Sequence, residues 1–450
     1  MQCAKKIMGG LVLVAALAMV TQGAVVDSRG HGLTVRRADI DNPSANADAL
    51  TDDSASVAEQ ENDDAGVNLM AGGNDKVIVG YYPDWVTRFM QADQIPYDKL
   101  THINYAFALL AEDASIKFET NWLLPNVVKK AHEKGVKLLI SIGGWTGSRY
   151  FTPVLGNPGS RDRFIDNIIQ FVNQYGIDGV DIDWEHPGRM GMECNIIDPQ
   201  NDADNYLTFL KLLRQRMDKE YGTSGSQRKL LTMAVRVEPF DGPNGPLKDV
   251  SAFAQYVDFV NVMAYDIYGS WSKTTGPNAP FYTVGDFPYS FTQSADAWLK
   301  AKFPRNKLVM GVPFYGRSSI ATNPMRDNTM MVPKEKTVPQ GDQDDARWAE
   351  PCPGSEMVFS TVWQWRNLRA QGALISPEQA GPGWTRHWDQ KSQTPWLYRA
   401  ADKTFVSYDD PKSLNIKVNH VKHNNLRGVM AWDLHQDNGE LLDVIQRVRH

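Results

Sequence analysis

Ordinary folding gives little reason to load a short strand with acids, yet Asp178-Gly-Val-Asp181-Ile-Asp183-Trp-Glu185-His-Pro187 carries four carboxylates within eight residues. Val180, Ile182 and Trp184 share one parity and Asp181, Asp183 and Glu185 the other, so an extended chain has one apolar and one acidic face. The lead-in Tyr175-Gly-Ile-Asp-Gly179 and the amphipathic stretch before it mark a parallel strand in a βα repeat, whose apolar side must meet the helix layer. The acids are thereby directed inward.

Carboxylates so close together in a desolvated place cannot all stay charged, because burial and like-charge repulsion each raise the pKa of at least one. A protonated acid beside an ionised one suits glycoside cleavage, where one group protonates the leaving oxygen and another stabilises positive charge on the sugar. The competing structures are an open sheet with its acids in water and a cation site. A metal is disfavoured: no His or Cys stands near at ligand spacing, and the acids run along one strand rather than around a loop. Asp183 and Glu185 are two residues apart, roughly 7 Å along a strand, which does not separate retaining from inverting geometry.

The remaining chain repeats the strand and helix alternation. Strands are expected at Val77–Tyr82, Thr101–Ala108, Lys137–Trp145, the acidic segment, Leu230–Val237, Tyr256–Asp266, Leu308–Tyr315 and Gly428–Leu434. Helices are expected at Asn126–Gly135, from a Ser160 cap through Phe164, Ile168 and Val172, and at Asp202–Gly222, Phe291–Phe303 and Leu441–Val448. Eight such units predict an α/β fold, a (β/α)8 TIM barrel over residues 76–316 and 408–450, with chemistry at the carboxyl ends of the strands. Residues 317–407, between strands seven and eight, are too many for a plain loop and hold enough aromatics, Trp348, Trp363, Trp384, Trp388 and Trp396 among them, for a small core.

Asp178-x-x-Asp181-x-Asp183-x-Glu185 resembles the DxxDxDxE signature of family 18 glycoside hydrolases, the chitinases, at every signature position. The resemblance spans about Lys76 to Arg449 and implies an α+β insertion at residues 317–407. It also implies that the substrate's own N-acetyl oxygen is the nucleophile, closing an oxazolinium ring. Glu185 is then the general acid, Asp183 orients the acetamide, Asp181 shares its proton, and Tyr265 hydrogen-bonds the same amide. Ser141 and Gly144 match the family's SxGG motif, and Trp432 matches the tryptophan under the cleaved sugar. Tyr82, Phe107, Trp145, Met263, Asp266, Tyr315 and Arg317 match groove-lining positions. Asp178 has the other parity and reads as structural. His186 stands where many relatives have Tyr.

A formal charge of −6 without a basic stripe argues against nucleic acid, and thirteen tryptophans with sixteen tyrosines are compatible with stacking on sugar rings. Lys5-Lys6, an apolar run from Ile7 to about Val20 and small residues at Gly23 and Ala24 read as a signal peptide over residues 1–23, too short for a membrane span. Residues 24–75 are acidic and poor in aromatics, a disordered leader with a possible dibasic site at Arg36-Arg37. Cys194 and Cys352 remain after processing, either paired or as separate buried thiols. The expectation is a secreted, monomeric, endo-acting chitinase taking chitin or chitooligosaccharide and needing neither metal nor cofactor. The rivals are a catalytically silent chitin-binding lectin on the same barrel and a hydrolase of other 2-acetamido-sugar glycans.

Overall fold

The computed structural model describes residues 76–325 and 329–450; the expected signal peptide and leader lie outside them. Seven barrel strands precede the insertion: β1 (Val77–Pro83), β2 (His102–Leu110), β3 (Lys137–Gly143), β4 (Gly179–Asp183), β5 (Leu230–Val235), β6 (Phe259–Val262) and β7 (Leu308–Pro313). The insertion contributes β8 (Tyr315–Ile320), β9 (Val362–Gln364), β10 (Trp384–Asp389), β11 (Thr394–Arg399) and β12 (Thr404–Ser407), and the barrel resumes at β13 (Gly428–Trp432). Strands β1 to β7 and β13 pair in parallel, and β1 closes on both β2 and β13. The result is the expected eight-stranded closed barrel.

Strand parity decides the two sides of its wall. Val180, Ile182 and Trp184 pack outward into the layer with Phe164 and Phe209, and the Trp184 indole stacks on Phe151 at 5.2 Å. Those partners lie on or beside helices α1 (Pro158–Tyr175) and α2 (Asp202–Tyr221), whose apolar faces follow the helical period. Inside the barrel, Ser141, Asp181 and Thr232 stand side by side, because β3, β4 and β5 run parallel with those three residues in register. The lumen is polar where the sequence alternates against its own helix layer.

Several boundaries differ from the expectation. The α1 cap is Asn157, whose side chain accepts from the Ser160 N–H, with Pro158 in the first turn; Ser160 lies inside the helix. Strand β6 stops at Val262, and Asp266 takes a left-handed φ of 57°, so Tyr265 and Asp266 belong to a turn above the barrel. The insertion builds an antiparallel five-stranded sheet in the order β9-β8-β12-β11-β10, with a short helix at Trp365–Ala370. Its first strand begins at Tyr315, directly after the barrel strand, so the two sheets are joined almost without a linker.

Candidate active site

Asp181 sits wholly buried at the base of the site and is surrounded by donors. Its Oδ2 accepts from the Tyr81 hydroxyl at 2.7 Å and from Ser141 Oγ at 2.8 Å, and its Oδ1 from Thr232 Oγ1 at 2.6 Å and Asn261 Nδ2 at 3.3 Å. Burial raises its pKa and the four donors oppose that rise without cancelling it. One residue pair higher, Asp183 is 3 % exposed, and its Oδ1 is buried with no hydrogen-bond partner. Burial, then Glu185 and Asp181, push its carboxyl well above the usual range. The lower acid is fully bonded and the upper one is not.

Glu185 is 6 % exposed at the strand's carboxyl end. Its N–H donates to Ser148 Oγ at 2.8 Å, and its carbonyl accepts from Asn195 Nδ2 at 2.9 Å, so the backbone is held from two loops. Burial, with the Asp266 charge adding, pushes the carboxyl up to about 8. The His186 imidazole lies 3.8 Å from Glu185 Oε2, and burial together with Arg236 and Arg189 holds it well below its ordinary pKa. It is therefore neutral at pH 7 and offers no cation to draw the proton off Glu185.

These carboxylates open into a pocket of about 370 Å³ lined by Tyr81, Phe107, Trp145, Asp183, Glu185, Ala234, Met263, Tyr265, Met430 and Trp432. The Trp432 ring stacks on Phe107 at 5.7 Å and tilts against Tyr81 at 5.4 Å, forming an apolar wall. The Tyr265 hydroxyl reaches Met430 Sδ at 3.9 Å, and burial beside the carboxylates of Asp183, Asp266, Glu185 and Asp433 keeps it protonated. Gly143 and Gly144 permit the close approach: a Cβ on Gly143, at φ 117°, would lie 2.1 Å from the Asp183 carbonyl oxygen, and one on Gly144 would strike the Phe107 ring.

Beside the pocket, Arg317 Nε donates to Asp266 Oδ1 and its guanidinium lies over Trp271 and Tyr315. Arg317 is 3 % exposed, so this ion pair is internal rather than at the surface. Asp178 lies apart, where Lys137, His132 and the Leu138 N–H bind its carboxylate and outweigh burial to lower its pKa. One groove assignment needs correction. Tyr82 faces the helix layer, fully buried, and donates to the Met90 carbonyl at 2.8 Å; strand alternation puts Tyr81 into the lumen instead. The parity of Val77, Val79 and Tyr81 carried that signal. Thr232, Asn261, Ser148 and Met430 were also missed, lacking any local cue.

The insertion reaches over this end of the barrel. Glu350 Oε1 accepts from Trp145 Nε1 at 2.9 Å, and Cys194 and Cys352 form a disulfide, Cα to Cα 5.5 Å. Trp145, Met192 and Trp348 pack together there, with Trp271 and the two cysteines against them. A strap from the insertion is thus fastened to loops following β3 and β4.

A closed parallel barrel with a column of acids at its carboxyl face defines a glycoside hydrolase architecture, and the comparisons agree. The sequence matches Glycosyl hydrolases family 18 over residues 77–437, and the chain belongs to that family. It is 31 % identical over 395 residues to a "chitinase-like effector" of Moniliophthora roreri, covering 84 % of this chain and 94 % of that one. The crystal structure of a chitinase from Rhizomucor miehei superposes with a TM-score of 0.77 at 36 % identity, covering 83 % of this chain and all of that one. A group IV chitinase of Ostrinia furnacalis, solved in complex with allosamidin, gives 0.69 at 27 % identity over 83 % of this chain and 98 % of that one.

Proposed function

We propose that the chain is a secreted endo-chitinase that hydrolyses β-1,4-linked N-acetylglucosamine with retention, through substrate assistance. The observation that carries this reading is a Glu185 carboxyl held protonated to about pH 8 at the mouth of a pocket it shares with Asp183 and Tyr265. Glu185 donates its proton to the glycosidic oxygen as the C1–O bond breaks. The acetamide oxygen of the same sugar closes on C1, and Asp183 orients that amide and balances the charge on the oxazolinium ring. Asp181, fixed by its four donors, shares the proton, and the Tyr265 hydroxyl holds the acetamide. Trp432 gives the sugar an apolar face. The Glu185 carboxylate then takes a proton from water, which opens the ring at C1 and restores the acid.

Glu185→Gln is expected to lower kcat on a fluorogenic chitooligosaccharide by about 10²–10⁴, the usual contribution of general acid catalysis, while binding persists. Equal turnover by both proteins refutes the acid assignment. A thiazoline mimic of the cyclised acetamide is expected to inhibit; failure to do so rules out participation by the substrate. A second reading, a chitin-binding protein without turnover, draws support from the name of the Moniliophthora relatives, "chitinase-like effector". Binding without hydrolysis by the unaltered chain decides for it.

A further inference from the structure

Across the wall of Trp145, Met192 and Trp348 lies a second, solvent-open cavity of about 570 Å³, which the proposed reaction does not use. Leu109, Met192, Trp348 and Met357 give it apolar sides, and Lys117, Arg149 and Arg347 are its charged residues. No carboxylate among the described residues lines it. Among the described residues none of the three cations makes a hydrogen bond or an ion pair within 4.0 Å; Arg149 and Arg347 lie only over the rings of Tyr150 and Phe359. Glu350, on the same strap, already accepts from Trp145, and the exposed Asp113 accepts from the Ser115 N–H and hydroxyl. In a chain with 53 acids against 47 bases, three unpaired cations around one cavity do not reflect a general excess of positive charge.

We infer that this cavity is a binding site for a small amphipathic carboxylate, its charged end held by Arg149, Lys117 and Arg347 and its body lying against Leu109, Met192 and Met357. A planar guanidinium and a mobile ammonium are suited to a carboxylate, which accepts from both. The alternative occupant, a neutral 2-acetamido sugar, brings hydroxyl donors as well as acceptors. The lining answers those donors with little besides backbone and the hydroxyls of Thr146 and Tyr150. Such a sugar also leaves the half-buried Arg149 guanidinium, whose Nε is buried and unbonded, without a counter-charge. A carboxylate on an apolar body can come from a fatty acid or, with the C–H face of a ring as the apolar part, from a uronic acid unit.

Titration of the full chain with octanoate and with trigalacturonate distinguishes these sources, with octanol and chitotriose as uncharged counterparts. At least one anion is expected to bind saturably and more weakly as salt rises, while the uncharged compounds do not. Lys117→Glu/Arg347→Glu should weaken that binding by at least about tenfold, the scale of one lost charge-assisted hydrogen bond, and leave chitooligosaccharide turnover as in the unaltered chain. Should the charge reversal disturb folding by circular dichroism, Lys117→Gln/Arg347→Gln takes its place with the same expected direction. Saturation by neither anion at millimolar concentration, equal binding of charged and uncharged partners, or indifference to the substitutions overturns the site. None of these outcomes depends on whether Glu185 catalyses.

Discussion

At the scale of single residues the site depends on where protons rest. Glu185 stays protonated to about 8 because burial removes the solvation its anion needs, Asp266 repels that anion, and the neutral His186 does not offset either. On the proposed mechanism the alkaline limb of kcat/KM is accordingly expected near pH 8, where Glu185 gives up its proton. Stability changes in the same window. The unfolded carboxyl titrates near 4.3, so between about 4.3 and 8 the folded chain binds the extra proton and its stability falls as pH rises. Glu185→Gln removes that titration. Thermal unfolding should therefore show the variant gaining on the unaltered chain from pH 5 to pH 8; a constant gap over that range contradicts a raised Glu185.

Among elements, strand β4 was legible from its own residues, because two faces of opposite character on one parallel strand admit only one orientation. The choice of Tyr82 over Tyr81 missed the same rule applied to β1, where the family-like match overrode strand parity. Asn157 and Ser160 both stand near the start of α1, and Pro158 between them settles which one caps it. No local pattern, by contrast, announces that Glu350 meets Trp145 across 205 residues. That contact belongs to the strap, and it makes a prediction. Glu350→Ala leaves the Trp145 N–H unpaired and frees an indole that lines the pocket, so KM for chitotetraose should rise several-fold with kcat little changed. Glu350→Gln retains an acceptor and should recover most of the affinity. Cys352→Ser, which detaches the strap from the loop carrying Cys194, should act in the same direction as Glu350→Ala. A fall in kcat alone, with KM constant, indicates that the strap serves the chemistry instead.

In the whole molecule, eight βα alternations make the barrel readable from sequence, whereas the joint between barrel and insertion rests on contacts between distant residues that no local pattern marks. Its central contact is Lys417, on the helix Pro411–His423, with Asp409, just beyond the last insertion strand; both side chains are 1 % exposed. Lys417 Nζ donates to both Asp409 oxygens, at 2.8 and 2.7 Å, and to the Ala279 carbonyl at 2.7 Å, so its three donors are used. Ala279 follows Asn278, whose side chain accepts from the Asp266 N–H and donates to the Tyr315 carbonyl. One buried cation thus connects the helix leading into β13, the insertion's exit and the segment that holds Asp266. Lys417→Met keeps the length of the stem but leaves the Asp409 charge with Ser413 Oγ as a remaining donor, an arrangement that costs about 3–5 kcal/mol when one partner of a buried pair is removed. Lys417→Met/Asp409→Leu removes the stranded charge as well and should regain much of that loss. Urea denaturation of the two variants measures both, and a double variant no more stable than the single one means that the lost contact to Ala279, not the stranded carboxylate, accounts for the cost.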